Sequence, residues 1–150
     1  MDIARFKQEL MRDEGYVEKV YICPAGYPTV GCGHKLKPDD IEYGSPIGTP
    51  VSTDRCQLLL DEDARTAIND CQDIYSNFHE LPETVQHVLA NMAFNIGRSR
   101  LKKFVRMNGH IEDKLFDLAA DEMIDSRWYH QTGDRSIRLV TEMRSTAQAN

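Results

Sequence analysis

A chain of 150 residues, 41% of them hydrophobic, is the size of one domain and carries enough apolar side chains for a core of its own. No stretch approaches the ~20 apolar residues of a membrane span, and the start, Met1 to Leu10, lacks the apolar run of a secretory signal, so a soluble protein made in the cytoplasm, without stable membrane association, is expected. The net charge of -6 and the absence of a recognised binding motif argue against nucleic acid as a partner.

Asp2 is placed to cap a first helix whose apolar positions Ile3, Phe6, Leu10 and Met11 recur at helical spacing, with Gly15 just beyond its end. Tyr16 to Ile22 is rich in β-branched and aromatic residues, Pro24, Ala25 and Gly26 form a turn, and Tyr27 to Gly33 returns as the partner strand of a hairpin. Between Lys35 and Val51 the residues Pro38, Gly44, Pro46, Gly48 and Pro50 predict mostly loop, with room for one short strand. Ser52 then opens a long helix, to about Phe78, with Cys56, Leu59, Leu60, Ala64, Ala67, Ile68 and Cys71 on one face. Pro82 suits the first turn of a core helix ended by Gly97, and further helices fit Leu101 to Met107, Ile111 to Ile124 and Ser136 to Arg144. The fold class is α+β, mainly helical with a small sheet.

Glu14 falls in the last turn of the first helix. The negative end of the helix dipole and partial burial beneath a sheet would both disfavour its charged form and raise its pKa, as a general acid requires. The ordinary alternative is a solvated Glu closing a helix. If the hairpin folds back toward the helix end, Glu14, Cys23 and Thr29 face one cleft. Cys23, Cys32, Cys56 and Cys71 contain no CxxC pair and are expected to be free thiols. Cys23, Cys32 and His34 are close in sequence but lack paired ligand spacing, so neither a metal nor another cofactor is expected.

Glu14, Cys23 and Thr29 are separated by eight and five residues, and with Gly15, Gly26, Tyr27, Gly31, Gly33 and His34 they resemble the signature of the phage-type lysozymes. Two later blocks, Asn91 to Gly97 and Ser126 to Arg138, are similar to that family's further signatures in the same order. The resemblance implies a single lysozyme-like catalytic domain over 1–150. It would have a sheet lobe at about 13–51, a helical lobe formed by 79–150 with the N-terminal helix, a long joining helix, and substrate in the groove between lobes. It implies Glu14 as the acid, Cys23 where many relatives have Asp, and Thr29 orienting water, with inversion at the sugar. Phe94, Asn95 and Arg127 correspond to substrate-binding positions, His34 and Asp63 to a structural salt bridge, and Arg135 to a cation pairing with the acid. Phe94 is equally plausible as core at helical spacing, and Trp128 as core or as a sugar-stacking face.

The expected activity is that of an endolysin, a muramidase hydrolysing bacterial peptidoglycan to lyse the host. A monomer made in host cytoplasm would need a holin for indirect access to the wall. A lytic transglycosylase, and a non-catalytic peptidoglycan-binding or virion module, are the alternatives that loss of the second carboxylate keeps open. The basic residues cluster toward the C-terminus, Arg98, Arg100, Lys102, Lys103 and Arg106 followed by Arg127, Arg135, Arg138 and Arg144. They would suit an anionic wall, although for any single charge a solvated helix face is the simpler reading.

Overall fold

The computed structural model describes residues 1–148. In it Asp2 accepts a hydrogen bond from the Arg5 amide at 3.1 Å and starts helix α1 (Ile3–Glu14). Gly15 stops it with a φ of 77°, a conformation that glycine adopts without the Cβ clash other residues meet. Strands β1 (Val17–Ile22), β2 (Pro28–Gly31) and β3 (His34–Lys35) then form a three-stranded antiparallel sheet in sequential order. Tyr21 pairs with Thr29 and Ile22 with Pro28, an irregularity separates Tyr21 from Val17, and β3 pairs through Val30↔His34. The first hairpin matches the sequence expectation, with Cys23 and Tyr27 closing the loop through a 3.0 Å amide-to-carbonyl bond. The third strand, two residues long, falls at the start of the stretch where the sequence left room for one short strand, beginning one residue earlier, at His34.

Most of 36–51 is turn, as its prolines and glycines require, but its end returns to the sheet. The Val20 amide donates to Thr49, the Gly48 amide to Val20 and the Val51 amide to Glu18, all at 2.8 to 3.0 Å. Val20, Val30, Val51, Cys56 and Leu59 make the buried cluster here, with Tyr16 and Leu36 packed on its margin. These backbone bonds occupy part of the otherwise open edge of β1, which protects it from pairing with another chain.

Helix α2 (Thr53–Ile74) is four residues shorter than expected and gives way to a 3₁₀ turn at Phe78–Glu80. Helix α3 (Glu83–Lys102) is interrupted at Gly97, with φ 82° and ψ 164°, and resumes for five residues. Its core half, Val85 to Ala93, is buried on every face. The helices after Gly97 differ from the periodicity reading. Leu101 belongs to the end of α3 while Met107 lies in α4 (Val105–Glu112), separated by a non-helical Phe104. The stretch Ile111 to Ile124 divides between α4 and α5 (Phe116–Ile124). Here the Lys114 amide donates to Ile111, the Leu115 amide donates to His110, and Lys114 takes a φ of 56°, which is a Schellman ending with lysine where glycine is usual. An added helix, α6 (Arg127–Thr132), is capped by the Ser126 hydroxyl accepting from the Tyr129 amide and ends at Gly133. Helix α7 (Asp134–Gln148) follows and packs with α3, α5 and α6.

The described residues divide into two compact units, one of 2–65 and one of 66–148 with Met1, the boundary falling inside α2. Helix α1, which the sequence reading grouped with the helical lobe, lies in the same unit as the sheet. Among the described residues no helix is long and apolar enough to cross a membrane, and all four cysteines are free.

Candidate active site

In the sheet unit the hairpin loop arranges donors around sulfur. The Cys23 amide donates to the Tyr27 carbonyl, and this closure turns the Tyr27 amide onto Cys23 Sγ at 3.4 Å. Thr29, fully buried on β2, donates its hydroxyl proton to the Tyr27 carbonyl at 2.8 Å and hydrogen-bonds Cys23 as well. A hydroxyl has one proton, so a neutral thiol leaves it on Tyr27 while a thiolate competes for it. Burial alone would raise the Cys23 pKa, but the Tyr27 amide, the Thr29 hydroxyl and the Ala25 and Gly26 amides outweigh it and hold the thiol below its ordinary value. Donors aimed at a developing anion favour the charged form. Cys56 shows the opposite behaviour, its burial pushing the thiol up.

Glu14, half-buried at the end of α1, lies against the backbone of Gly33. A Cβ on Gly33 would stand 3.1 Å from Glu14 Oε2, and Gly33 has a φ of 67°. Only a residue without a side chain lets the chain pass this close to the carboxylate in this conformation. Tyr21, half-buried on β1, is the titratable neighbour of this site. Burial raises its pKa, a hydrogen bond with the Gly33 backbone opposes this, and the negative groups of Cys32, Glu14 and Cys23 raise it further. The sequence reading missed Tyr21 and the particular role of Gly33. The cue for Tyr21 was its position two residues before Cys23, on the same side of an extended chain.

Gly33→Ala should cost about 1 to 2 kcal/mol of stability through its left-handed backbone. The displaced carboxylate should lower turnover about tenfold, because misplacement by fractions of an ångström weakens proton transfer. Thermal unfolding and kcat measured on one preparation check the pair of effects, and a loss of stability with unchanged kcat would show that Glu14 does not depend on this contact.

His34 on β3 is held on both ring nitrogens, Nδ1 2.7 Å from Asp63 and Nε2 2.9 Å from Asp40. The Lys37 amide also donates to Asp40 at 2.8 Å, and Arg55 reaches Glu42 at 2.9 Å and Asp40 at 3.8 Å. The sequence reading named Asp63 alone; Asp40 came within reach only through the loop after β3. The Asp63 hydrogen bond, opposed by burial and aided by Asp40, raises the His34 pKa. The stabilising charge on His34 is thus fully present below the unfolded value of ~6.5 and is lost as pH rises through the higher folded value. The wild-type melting temperature should fall across that alkaline window, and His34→Gln should remove that fall. A parallel pH profile for the two proteins would show that the pair contributes nothing pH-dependent.

In the helical unit, Phe94 and Asn95 lie half-buried on α3 and Arg127 is exposed at the start of α6. Asn95 Oδ1 accepts from the Trp128 indole at 2.8 Å, and Trp128, 3% exposed, packs edge-on to Phe104 with centroids 6.3 Å apart. Arg135 on α7 donates through Nε to Asn91 at 2.8 Å. Among the described residues no three His, Cys, Asp or Glu side chains are grouped to hold a metal.

The phage lysozyme family model matches residues 11–146. The chain is similar to the "Probable T4-type lysozyme 2" of Dictyostelium discoideum, 26% identical over 93% of each chain. It is also similar to the "Peptidoglycan hydrolase gp36" of Pseudomonas phage phiKMV, 26% identical over 95% of this chain and 15% of that one. A third relative is the "Pre-baseplate central spike protein Gp5" of Enterobacteria phage T4, 26% identical over 87% of this chain and 26% of that one.

Proposed function

From the premise that the chain belongs to the phage lysozyme family, we propose that it hydrolyses bacterial peptidoglycan as a muramidase, cutting the β-1,4 bond between N-acetylmuramic acid and N-acetylglucosamine. The observation that carries this reading is the donor-lined Cys23 thiol, with the Tyr27 amide 3.4 Å from its sulfur, in the unit that also holds Glu14 against Gly33. Glu14 gives its proton to the glycosidic oxygen as the bond to the anomeric carbon breaks. Water attacks that carbon from the opposite face, and the Cys23 thiolate takes the water's proton while Thr29 orients it, so the configuration inverts. Phe94, Asn95 and Arg127 line the path of the glycan, and His34 with Asp63 and Asp40 stiffens the sheet.

The protein acts as a monomer in host lysis, reaching the wall from the cytoplasm after a holin opens the inner membrane. The thiol in place of a second carboxylate favours one other reading, a lytic transglycosylase in which the muramyl C6 hydroxyl replaces water. Mass spectrometry of digested peptidoglycan separates them. New reducing ends are expected; 1,6-anhydromuramic ends would replace hydrolysis by transglycosylation, and intact glycan would leave a binding module.

A further inference from the structure

The helical unit carries a cleft of about 540 Å³ where the end of α3, the start of α4 and the start of α6 meet, and among its lining residues Arg127 is the one assigned above to the glycan path. Arg100, Lys103, Arg106 and Arg127 line it, and all four are exposed. Glu122 and Asp125 also line it, yet none of the four cations comes within ion-pair distance of any carboxylate among the described residues. Their neighbours behave differently, since Arg98 is paired with Asp73 at 2.5 Å and Arg144 with Asp121 at 2.8 Å. In a chain of net charge -6, four unpaired cations converging on one cleft repel one another unless an anion occupies it. Phe104 and Trp128 supply an apolar wall, and the first turn of α4 in the same cleft has no side-chain cap.

We propose that this cleft binds a phosphodiester-linked polyanion of the bacterial cell wall. Three of the four cations are arginines, whose planar forks match phosphate oxygens in pairs. Four charges spread over three helices and their ends suit a ligand with repeating charge better than a single carboxylate, because each phosphate neutralised releases a counterion. The wall as the source rests on the function proposed above; the phosphate chemistry does not.

Trp128 is the sole tryptophan of the chain and lies in the cleft, so its fluorescence reports occupancy directly. Binding is measured with poly(glycerol phosphate), with hyaluronate of matched charge as a carboxylate polymer, and with single-stranded DNA of matched charge. The Glu14→Gln protein serves as host, so that hydrolysis plays no part and failure of the muramidase reading leaves the measurement intact. Saturable binding of poly(glycerol phosphate), about tenfold tighter than hyaluronate, is expected. The triple variant Arg100→Gln, Lys103→Gln, Arg106→Gln should bind about tenfold or more weakly, and the slope of log affinity against log salt should fall by about two units. All three positions are exposed, and an unchanged melting temperature verifies the fold. Equal affinity for hyaluronate, or undiminished binding by the triple variant, would overturn the proposal, and tighter binding of DNA would replace it with a nucleic-acid site.

Discussion

Glu14→Gln is expected to lower peptidoglycan turnover by 100-fold or more while leaving the fold intact, since the amide keeps the size of the carboxyl group but has no proton to give. The effect should be in kcat with little change in KM, because proton donation to the leaving oxygen stabilises the transition state more than the bound substrate. Retention of the far-UV spectrum and melting temperature distinguishes lost chemistry from lost structure. A folded Glu14→Gln protein keeping more than about a tenth of wild-type turnover would remove Glu14 from the acid role.

The second large effect is at Cys23. A thiol that must ionise to accept a proton from water makes the rate rise with pH through its own titration, and the hairpin donors place that rise below the ordinary thiol value. Cys23→Asp should keep turnover within about tenfold and move the rise down toward the carboxylate range near ~4. Cys23→Ala and Cys23→Ser should each lose about 100-fold, since neither offers a base that titrates near neutrality. The pH profile matters as much as the rate, because a side chain that only fills space beside a water would leave the profile unmoved. Full activity of Cys23→Ala would leave Glu14 and Thr29 as the working pair. Thiol alkylation gives an independent reading, as Cys32, Cys56 and Cys71 are no more than 2% exposed and Cys23 alone is half-buried. Loss of activity should therefore track modification of one residue in the folded protein.

Local chemistry made much of the fold legible. Asp2 and Gly15 mark the ends of α1 because a cap and a stop are local events, and the first hairpin follows from β-branched runs on either side of a Pro-Ala-Gly turn. Where a boundary depended on an unusual residue, periodicity misled. Lys114 ends α4 in a conformation that sequence rules reserve for glycine, so two helices read as one. Helix α6 had cap signals at both ends, Ser126 and Gly133, but six residues are too few for an apolar period to show.

The residues proposed for catalysis were also named from the sequence, since the spacing of Glu14, Cys23 and Thr29 matches the pattern of the phage lysozyme family and that match needs no fold. Their electrostatic state was not. The lowered thiol depends on the amides of Ala25, Gly26 and Tyr27, groups that every residue carries and that gain meaning only when a loop turns them onto one sulfur atom. The approach of Gly33 to Glu14, the second carboxylate on His34, and the choice of which arginines pair and which stay open in a cleft are likewise products of tertiary structure. Each depends on distances of a few ångströms between groups remote in sequence, and electrostatic energy at that range is set by position and burial rather than by residue type.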